Sequence, residues 1–353
     1  MISWLDIIKW RLDSGAYSGK LKPSNPRGRL WVGWLGLIVL CVALPAAAWP
    51  LDPPYAFALI QFRSGHFERA RLTLEGALRH SPADATSEML LARCDYELGD
   101  FKGAIAHAEA AVRSDSGNAQ DHLWLGRMVG READRERSPV LALKTRKEFE
   151  KAVNLAPSNA EARRALMSYY LNAPWFLGGS KAKAQEQADA IARIDPVEGW
   201  LARAEFDQAS GQSQQANAGY RRVLQAKPQR VEPYFEAADF YLSRQDAAML
   251  SRAVEAAAAV DSTDVRINYY RGVAHVLTGS QLASAEQELK AYLAAAPSRR
   301  DFPSHAKALS WLGKLYERQG KAQLAAGEYE AALQRDPDSR DARLALQRLK
   351  KTP

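Results

Sequence analysis

The strongest constraint on the fold of this chain is an internal pattern that returns after 34 residues. Each copy has a glycine, then an aromatic residue, then small or apolar residues at helical spacing. The first copy contains Gly65, Phe67, Ala70, Leu74 and Ala77, and the second contains Gly99, Phe101, Ala104, Ala108 and Ala111. A repeat of this length is typical of proteins that stack one supersecondary unit many times.

Further copies of the pattern continue towards the C-terminal end of the chain. They close at these positions: Pro157, Pro196, Pro228, Ser262, Pro297 and Pro337. The last copy is the most complete, whereas the sixth and seventh are weaker. On this basis the chain contains about eight copies.

The residue types within a copy have physical reasons. Apolar residues at spacings of three and four predict two short amphipathic helices. The glycine favours the turn between them, the small alanines permit close helix packing, and the proline ends the second helix. One helical hairpin cannot bury its apolar face alone, so stacked copies predict an all-α solenoid with a concave surface.

On these residues the sequence resembles the tetratricopeptide repeat family over residues 50–338. The resemblance implies a right-handed solenoid of about eight helical hairpins. A terminal repeat leaves an apolar face uncovered, so we predict a capping helix within residues 339–353. The residues expected to cover that face are Ala342, Leu344, Ala345, Leu346 and Leu349.

The same resemblance bears on binding. Some members of the family hold the C-terminal carboxylate of a peptide with lysine and asparagine side chains on the first helices of successive repeats. The corresponding positions here include Arg93 and Arg127 instead, so a clamp of that kind is not expected. We expect these two arginines to line a groove of unknown specificity that binds other proteins.

An uncharged stretch at residues 30–49 is long enough, as a helix, to cross the roughly 30 Å of a bilayer. Basic residues precede it and Asp52 follows, so the positive-inside rule places the N-terminus in the cytoplasm. We predict a basic cytoplasmic segment at 1–28 and a transmembrane signal anchor at 29–49. The small residues at 46–48 leave open a cleaved signal peptide. Residues 2–12 suit an interfacial helix and, equally, a disordered tail.

Composition and motifs argue against several classes of function. The net charge is +7, and much of it lies in the first 29 residues, so the repeats have no electrostatic footprint for nucleic acid. Cys41 and Cys94 form no zinc or disulfide spacing. No nucleophile, phosphate-binding or metalloprotease motif is present. We therefore predict that the chain is not an enzyme and uses no metal or cofactor.

Two irregular segments interrupt the array. About one to two extra helical turns at residues 134–140 predict a longer second helix in the third repeat, capped by Ser138. In the fourth repeat, residues 172–180 replace a short turn and contain Trp175, Phe176 and Leu177. These three side chains either fold back over a gap or form a hot spot for a partner. We expect residues 298–304 to be a solvated connector.

Two functions fit these expectations. The first is a scaffold in the bacterial inner membrane whose repeats face the periplasm and help to assemble or organise envelope proteins. The second is a stoichiometric accessory subunit of one membrane complex. In both, the partners are proteins, and residues 29–49 contact the lipid bilayer.

Overall fold

A computed structural model describes residues 53–82 and 84–351. The predicted segments 1–28 and 29–49 lie outside the described residues. Within the described ranges the chain is entirely helical and contains no strand. No helix there has both the length and the apolar character needed to cross a membrane.

Seventeen α-helices follow one another along the described chain. They are α1 (Pro53–Arg63), α2 (Phe67–Leu78), α3 (Ala85–Leu98), α4 (Phe101–Ser114), α5 (Ala119–Glu136), α6 (Pro139–Leu155), α7 (Ala160–Asn172), α8 (Lys181–Ile194), α9 (Pro196–Ala209), α10 (Ser213–Ala226), α11 (Glu232–Ser243), α12 (Ala247–Val260), α13 (Arg266–Thr278), α14 (Leu282–Ala295), α15 (His305–Arg318), α16 (Ala322–Arg335) and α17 (Arg340–Lys351). A short 3₁₀ helix at Trp175–Leu177 lies between α7 and α8.

Consecutive helices pair into eight hairpins, from α1–α2 to α15–α16, and α17 follows as a single helix. Every hairpin turn contains a residue with positive φ. Six of these residues are glycines, and the third and sixth hairpins use Arg137 and Gln245 instead. A left-handed residue ends a helix by redirecting the chain, which glycine does at least cost. The missing glycine in the sixth hairpin explains why its sequence pattern is weak.

Side-chain caps fix where many of the first helices begin. Asp84, Asn118, Asn159 and Asp195 each accept hydrogen bonds from backbone N–H groups in the first turn of the helix that follows. Such caps satisfy donors that a helix leaves unpaired. Ser138 caps α6 as predicted, through its bond to the N–H of Leu141. The extra residues lengthen both α5 and α6, to 18 and 17 residues.

Pairs of helices approach closely where the first helix carries a small residue. A Cβ placed on Gly313 would lie 2.6 Å from the ring of Tyr329, and one on Gly126 would lie 2.5 Å from Phe149. Both aromatic residues are essentially buried. In these two hairpins, the glycine of the first helix therefore makes room for an aromatic ring from the second helix.

The helix α17 packs on the last hairpin. Ala342 and Ala345 are buried, and Leu346 and Leu349 pack beside them against the core of the C-terminal hairpins. The expectation for Leu344 is wrong, because this side chain is 48% exposed. It lies on the solvent side of a helix whose apolar stripe is narrower than the sequence suggested.

The array curves strongly towards its first helices. Arg164 on α7 donates from Nη1 to Oε1 of Glu236 on α11, at 2.9 Å, although another hairpin lies between them. A side chain can reach across a whole hairpin only if the first helices form the inner, concave side. This surface is where α1, α3, α5 and the other first helices face one another.

Residues 296–304, between α14 and α15, form a connector that is not solvated as predicted. Its Arg300 donates from the backbone N–H to Oε2 of Glu97, at 3.0 Å, and from Nε to the carbonyl of Tyr96, at 2.9 Å. Both acceptors belong to α3 in the second hairpin. Strong curvature brings the two ends of the array together, so the connector is covered by hairpins distant in sequence.

Candidate functional site

The concave side contains a groove formed by the first helices of the third to sixth hairpins. We call it the central groove. It has a volume of about 500 Å³ and is lined mainly by polar residues of α5, α7, α9 and α11. Its charged residues are Arg127, Glu161, Arg164, Asp195, Glu198, Glu205, Arg230, Glu232 and Glu236. A groove with this lining suits an extended or helical segment of another protein better than a small apolar molecule.

Most charges in the central groove are already paired. Arg164 contacts three carboxylates, from Glu198, Glu205 and Glu236. Burial alone would lower the pKa of Arg164, but Glu236 and Glu205 raise it well above its ordinary value. Arg230 donates to Glu198 at 2.7 Å. This part of the groove is therefore a fixed network that joins successive hairpins.

A second arrangement extends from the groove towards the first hairpin, and we call it the arginine stack. It consists of Phe62, Arg93, Trp124 and Arg127, in that order. The guanidinium of Arg93 lies 4.7 Å from the ring centre of Phe62 and 4.6 Å from that of Trp124. The guanidinium of Arg127 lies 5.0 Å from Trp124. Contacts within about 6 Å are favourable cation–π interactions.

The hydrogen-bonding capacity of the arginine stack is only partly used. Arg127 is 6% exposed and donates from Nη2 to Oε1 of Glu161 at 2.7 Å. Its buried Nη1, like the buried Nε of Arg93, finds no partner among the described residues. Burial lowers the pKa of Arg93; Tyr55 and Glu97 oppose this shift, and the neighbouring cations Arg299 and Arg127 add to it. Buried donors without partners are costly, so this is the part of the concave surface best suited to receive an anionic group.

The irregular loop of the fourth hairpin, residues 173–180, is the aromatic loop. Leu177 is 6% exposed and folds back, and its carbonyl accepts from the hydroxyl of Tyr169 at 2.9 Å and from Arg146 at 3.2 Å. Trp175 and Phe176 remain 85% and 62% exposed. Each interpretation of the loop therefore describes part of it, because one side chain fills the gap and two project into solvent.

The aromatic loop covers one side of a small apolar cavity of about 240 Å³. Phe176 and Leu177 line it together with Phe149 and Ala142 of the lengthened α6. Ser168 lines both this cavity and the central groove. The loop thus lies beside the groove rather than in it.

The structure brings some of the sequence-predicted residues together and separates others. Arg93 and Arg127 are close to each other through Trp124, whereas the aromatic loop forms a separate surface. Aromatic rings and Glu161 enclose both arginines, and of the two Arg127 lines the central groove. Sequence reasoning missed Trp124, Arg164 and Glu236. The aromatic Trp124, three residues before Arg127 on one helix face, was a usable signal.

The fold and the surface together define a class of protein, an array of helical hairpins with a polar concave face. Residues 55–119 and 298–340 match the model of the tetratricopeptide repeat family. No curated protein matches the chain. Tetratricopeptide repeats generally mediate protein–protein interactions and are typically not enzymatic. Within the described ranges, no group of His, Cys, Asp and Glu side chains could hold a metal ion.

Three solved structures are similar in fold. The APC/C hetero-tetramer Cut9–Hcn1 has 14% identity and a TM-score of 0.49, and the match covers 85% of this chain and 56% of that chain. A tetratricopeptide repeat protein from Parabacteroides merdae has 13% identity and a TM-score of 0.41, with 84% and 97% covered. MamA has 17% identity and a TM-score of 0.38, with 48% and 92% covered. Similarity at this level concerns the fold and carries no functional argument.

Proposed function

We propose that this protein is a membrane-anchored scaffold that binds segments of other proteins along its concave surface. The observation that carries the proposal is the arginine stack, where two mostly buried guanidinium groups have donors without partners in the part of the chain that the structure describes. We expect an anionic side chain or chain terminus of the partner to accept hydrogen bonds from these donors and so to strengthen binding. The aromatic pair Trp175 and Phe176 supplies a second contact beside the groove.

The location belongs to the same proposal. The segment 29–49, which carries no charge from residue 30 onward, anchors the chain in the bacterial inner membrane, with the N-terminus in the cytoplasm and the repeats in the periplasm. The scaffold then assists the assembly or organisation of envelope complexes. A reporter fused after Pro353 tests the orientation, because activity of a reporter that works only in the cytoplasm would contradict it.

Co-purification of the cross-linked full chain from membranes tests the binding function. Many substoichiometric partners are expected for a scaffold, whereas one stoichiometric set would favour the alternative of a fixed accessory subunit. The absence of any cross-linked protein would contradict both functions.

Point variants locate the binding surface. Arg93→Met should weaken capture of the cross-linked partners at least tenfold, because methionine keeps the stacking volume but provides no donor. Trp175→Ala with Phe176→Ala should weaken it as well. Leu72→Ala is the matched control, since Leu72 is also 62% exposed but belongs to α2, away from the groove. Equal capture by wild type and the three variants would contradict the proposed surface.

A further inference from the structure

The connector joins two parts of the array that are far apart in the sequence. Arg300 is 203 residues away from Glu97, whose carboxylate accepts its backbone N–H. The guanidinium of Arg300 also lies 5.1 Å from the ring centres of both Tyr96 and Phe101. We call this contact between the connector and the first two hairpins the seam. Its hydrogen bonds close the curved array into a ring.

A second contact at the seam depends on one glycine. Gly65 forms the turn of the first hairpin with φ of 77°, and a Cβ added to it would lie 2.8 Å from Cβ of Pro297. That distance is too short for two carbon atoms. The first hairpin can approach the connector this closely only because position 65 has no side chain.

The seam differs from every junction between neighbouring hairpins, because the two sides share no hydrophobic core. The core of the fifth to eighth hairpins includes Ala296 and the adjoining Phe302 of the connector, but no residue of the first three hairpins. The three clusters that include residues of those first three hairpins contain no residue of the seventh or eighth. Opening the seam would therefore leave each apolar core intact, whereas separating neighbouring hairpins would not.

We propose that the seam is a latch. While its contacts are made, the array is held closed; when they break, the side of the ring opens to a partner segment. The contact is polar, small and confined to one connector and two turns, which is the kind of contact that exchanges between two states. The identity of the occupant rests on the proposed function, but the opening of the ring does not.

The position of the latch couples it to the arginine stack. Glu97 lies on the same helix as Arg93 and is faced by Arg299, Arg300 and Asp301 of the connector. An anionic group that binds Arg93 competes with Glu97 for Arg299, the cation that acts on both residues, and weakens the hold of Glu97 on the connector. Binding of an anionic group at the arginine stack thus favours opening of the seam. The open ring then admits the rest of the partner segment.

A pair of glycine variants tests the latch. Gly65→Val places a branched side chain against Pro297, whereas Gly211→Val imposes the same backbone strain, at φ of 78°, with no heavy atom within 4 Å of the added Cβ. Hydrogen exchange on the full chain measures protection of the Arg300 amide. We expect Gly65→Val to reduce that protection at least tenfold and Gly211→Val to change it less than twofold. Equal effects would overturn the latch.

A milder pair of variants keeps the test valid if the valine variants fail to fold. Glu97→Ala removes the acceptor of the Arg300 amide, and Glu255→Ala removes a carboxylate that pairs with Arg271 away from the seam. Only the first should lower protection and increase the radius of gyration in small-angle scattering. An Arg300 amide unprotected in the wild type, or lower protection without expansion, would overturn the proposal. Both readouts need no partner, so failure of the binding function leaves them interpretable.

Discussion

Replacing Arg127 should destabilise the array, and this effect must be separated from any loss of binding. Its guanidinium is 6% exposed, bonds to Glu161 at 2.7 Å and lies 5.0 Å from the ring centre of Trp124. Breaking a buried ion pair by removing one partner costs about 3–5 kcal/mol. Glu161 is 29% exposed, so water partly solvates its carboxylate after the change. We therefore expect Arg127→Met to lower the free energy of unfolding by about 2–3 kcal/mol.

A double-mutant cycle with Glu161→Gln measures the pair directly. Each single variant leaves one partner without its bond, whereas the double variant removes both charges. The double variant should be more stable than the sum of the single changes implies, by about 1–2 kcal/mol. Denaturant unfolding followed by circular dichroism provides the free energies. Additivity within about 0.3–0.5 kcal/mol would refute the reasoning, because it would mean that the contact contributes no coupling.

Three further predictions concern stability. Arg93→Met should leave the melting temperature unchanged or raise it, because it removes a buried charge whose Nε finds no partner in the described chain; a drop of several degrees would contradict this. Burial raises the pKa of Glu97 to about 7, so the folded array should lose stability as pH rises from the ordinary pKa of 4.5 to about 7; denaturant unfolding at pH 5 and pH 8 should show a loss that Glu97→Gln reduces, and an equal loss in wild type and variant would contradict this. Deleting residues 340–353 uncovers the apolar face beneath Leu346 and Leu349, at a cost of about 2–4 kcal/mol, and an unchanged melting curve would refute the capping role.

The repeat pattern predicted the helical hairpins because it is a local property of the sequence. A glycine such as Gly313 and an aromatic residue such as Tyr329 lie within one hairpin, so their spacing directly reports their packing. The apolar spacing near the C-terminal end indicated the helix Arg340–Lys351 for the same reason. The expectation failed for Leu344, since the apolar stripe that a single helix buries depends on the shape of the surface beneath it.

The candidate site was less accessible to sequence reasoning because it depends on curvature. The small rotation between successive hairpins accumulates along the array, and no local pattern specifies the total. Arg164 meets Glu236 across an intervening hairpin, and Arg300 meets Glu97 across nearly the whole array. The charge of Arg127 suggested exposure, yet stacking on Trp124 and pairing with Glu161 bury it.

The two ends of the concave surface differ in how completely their charged side chains are paired. In the fourth to sixth hairpins, carboxylates surround Arg164 and satisfy it, so a partner gains little by replacing those contacts. In the second and third hairpins, the donors of Arg93 and Arg127 remain incomplete. A segment with an anionic group should therefore place that group beside Trp124 and extend the rest of its length along the groove. Specificity then comes from this first contact, since a segment without the charge leaves the buried donors unpaired and gains no compensation.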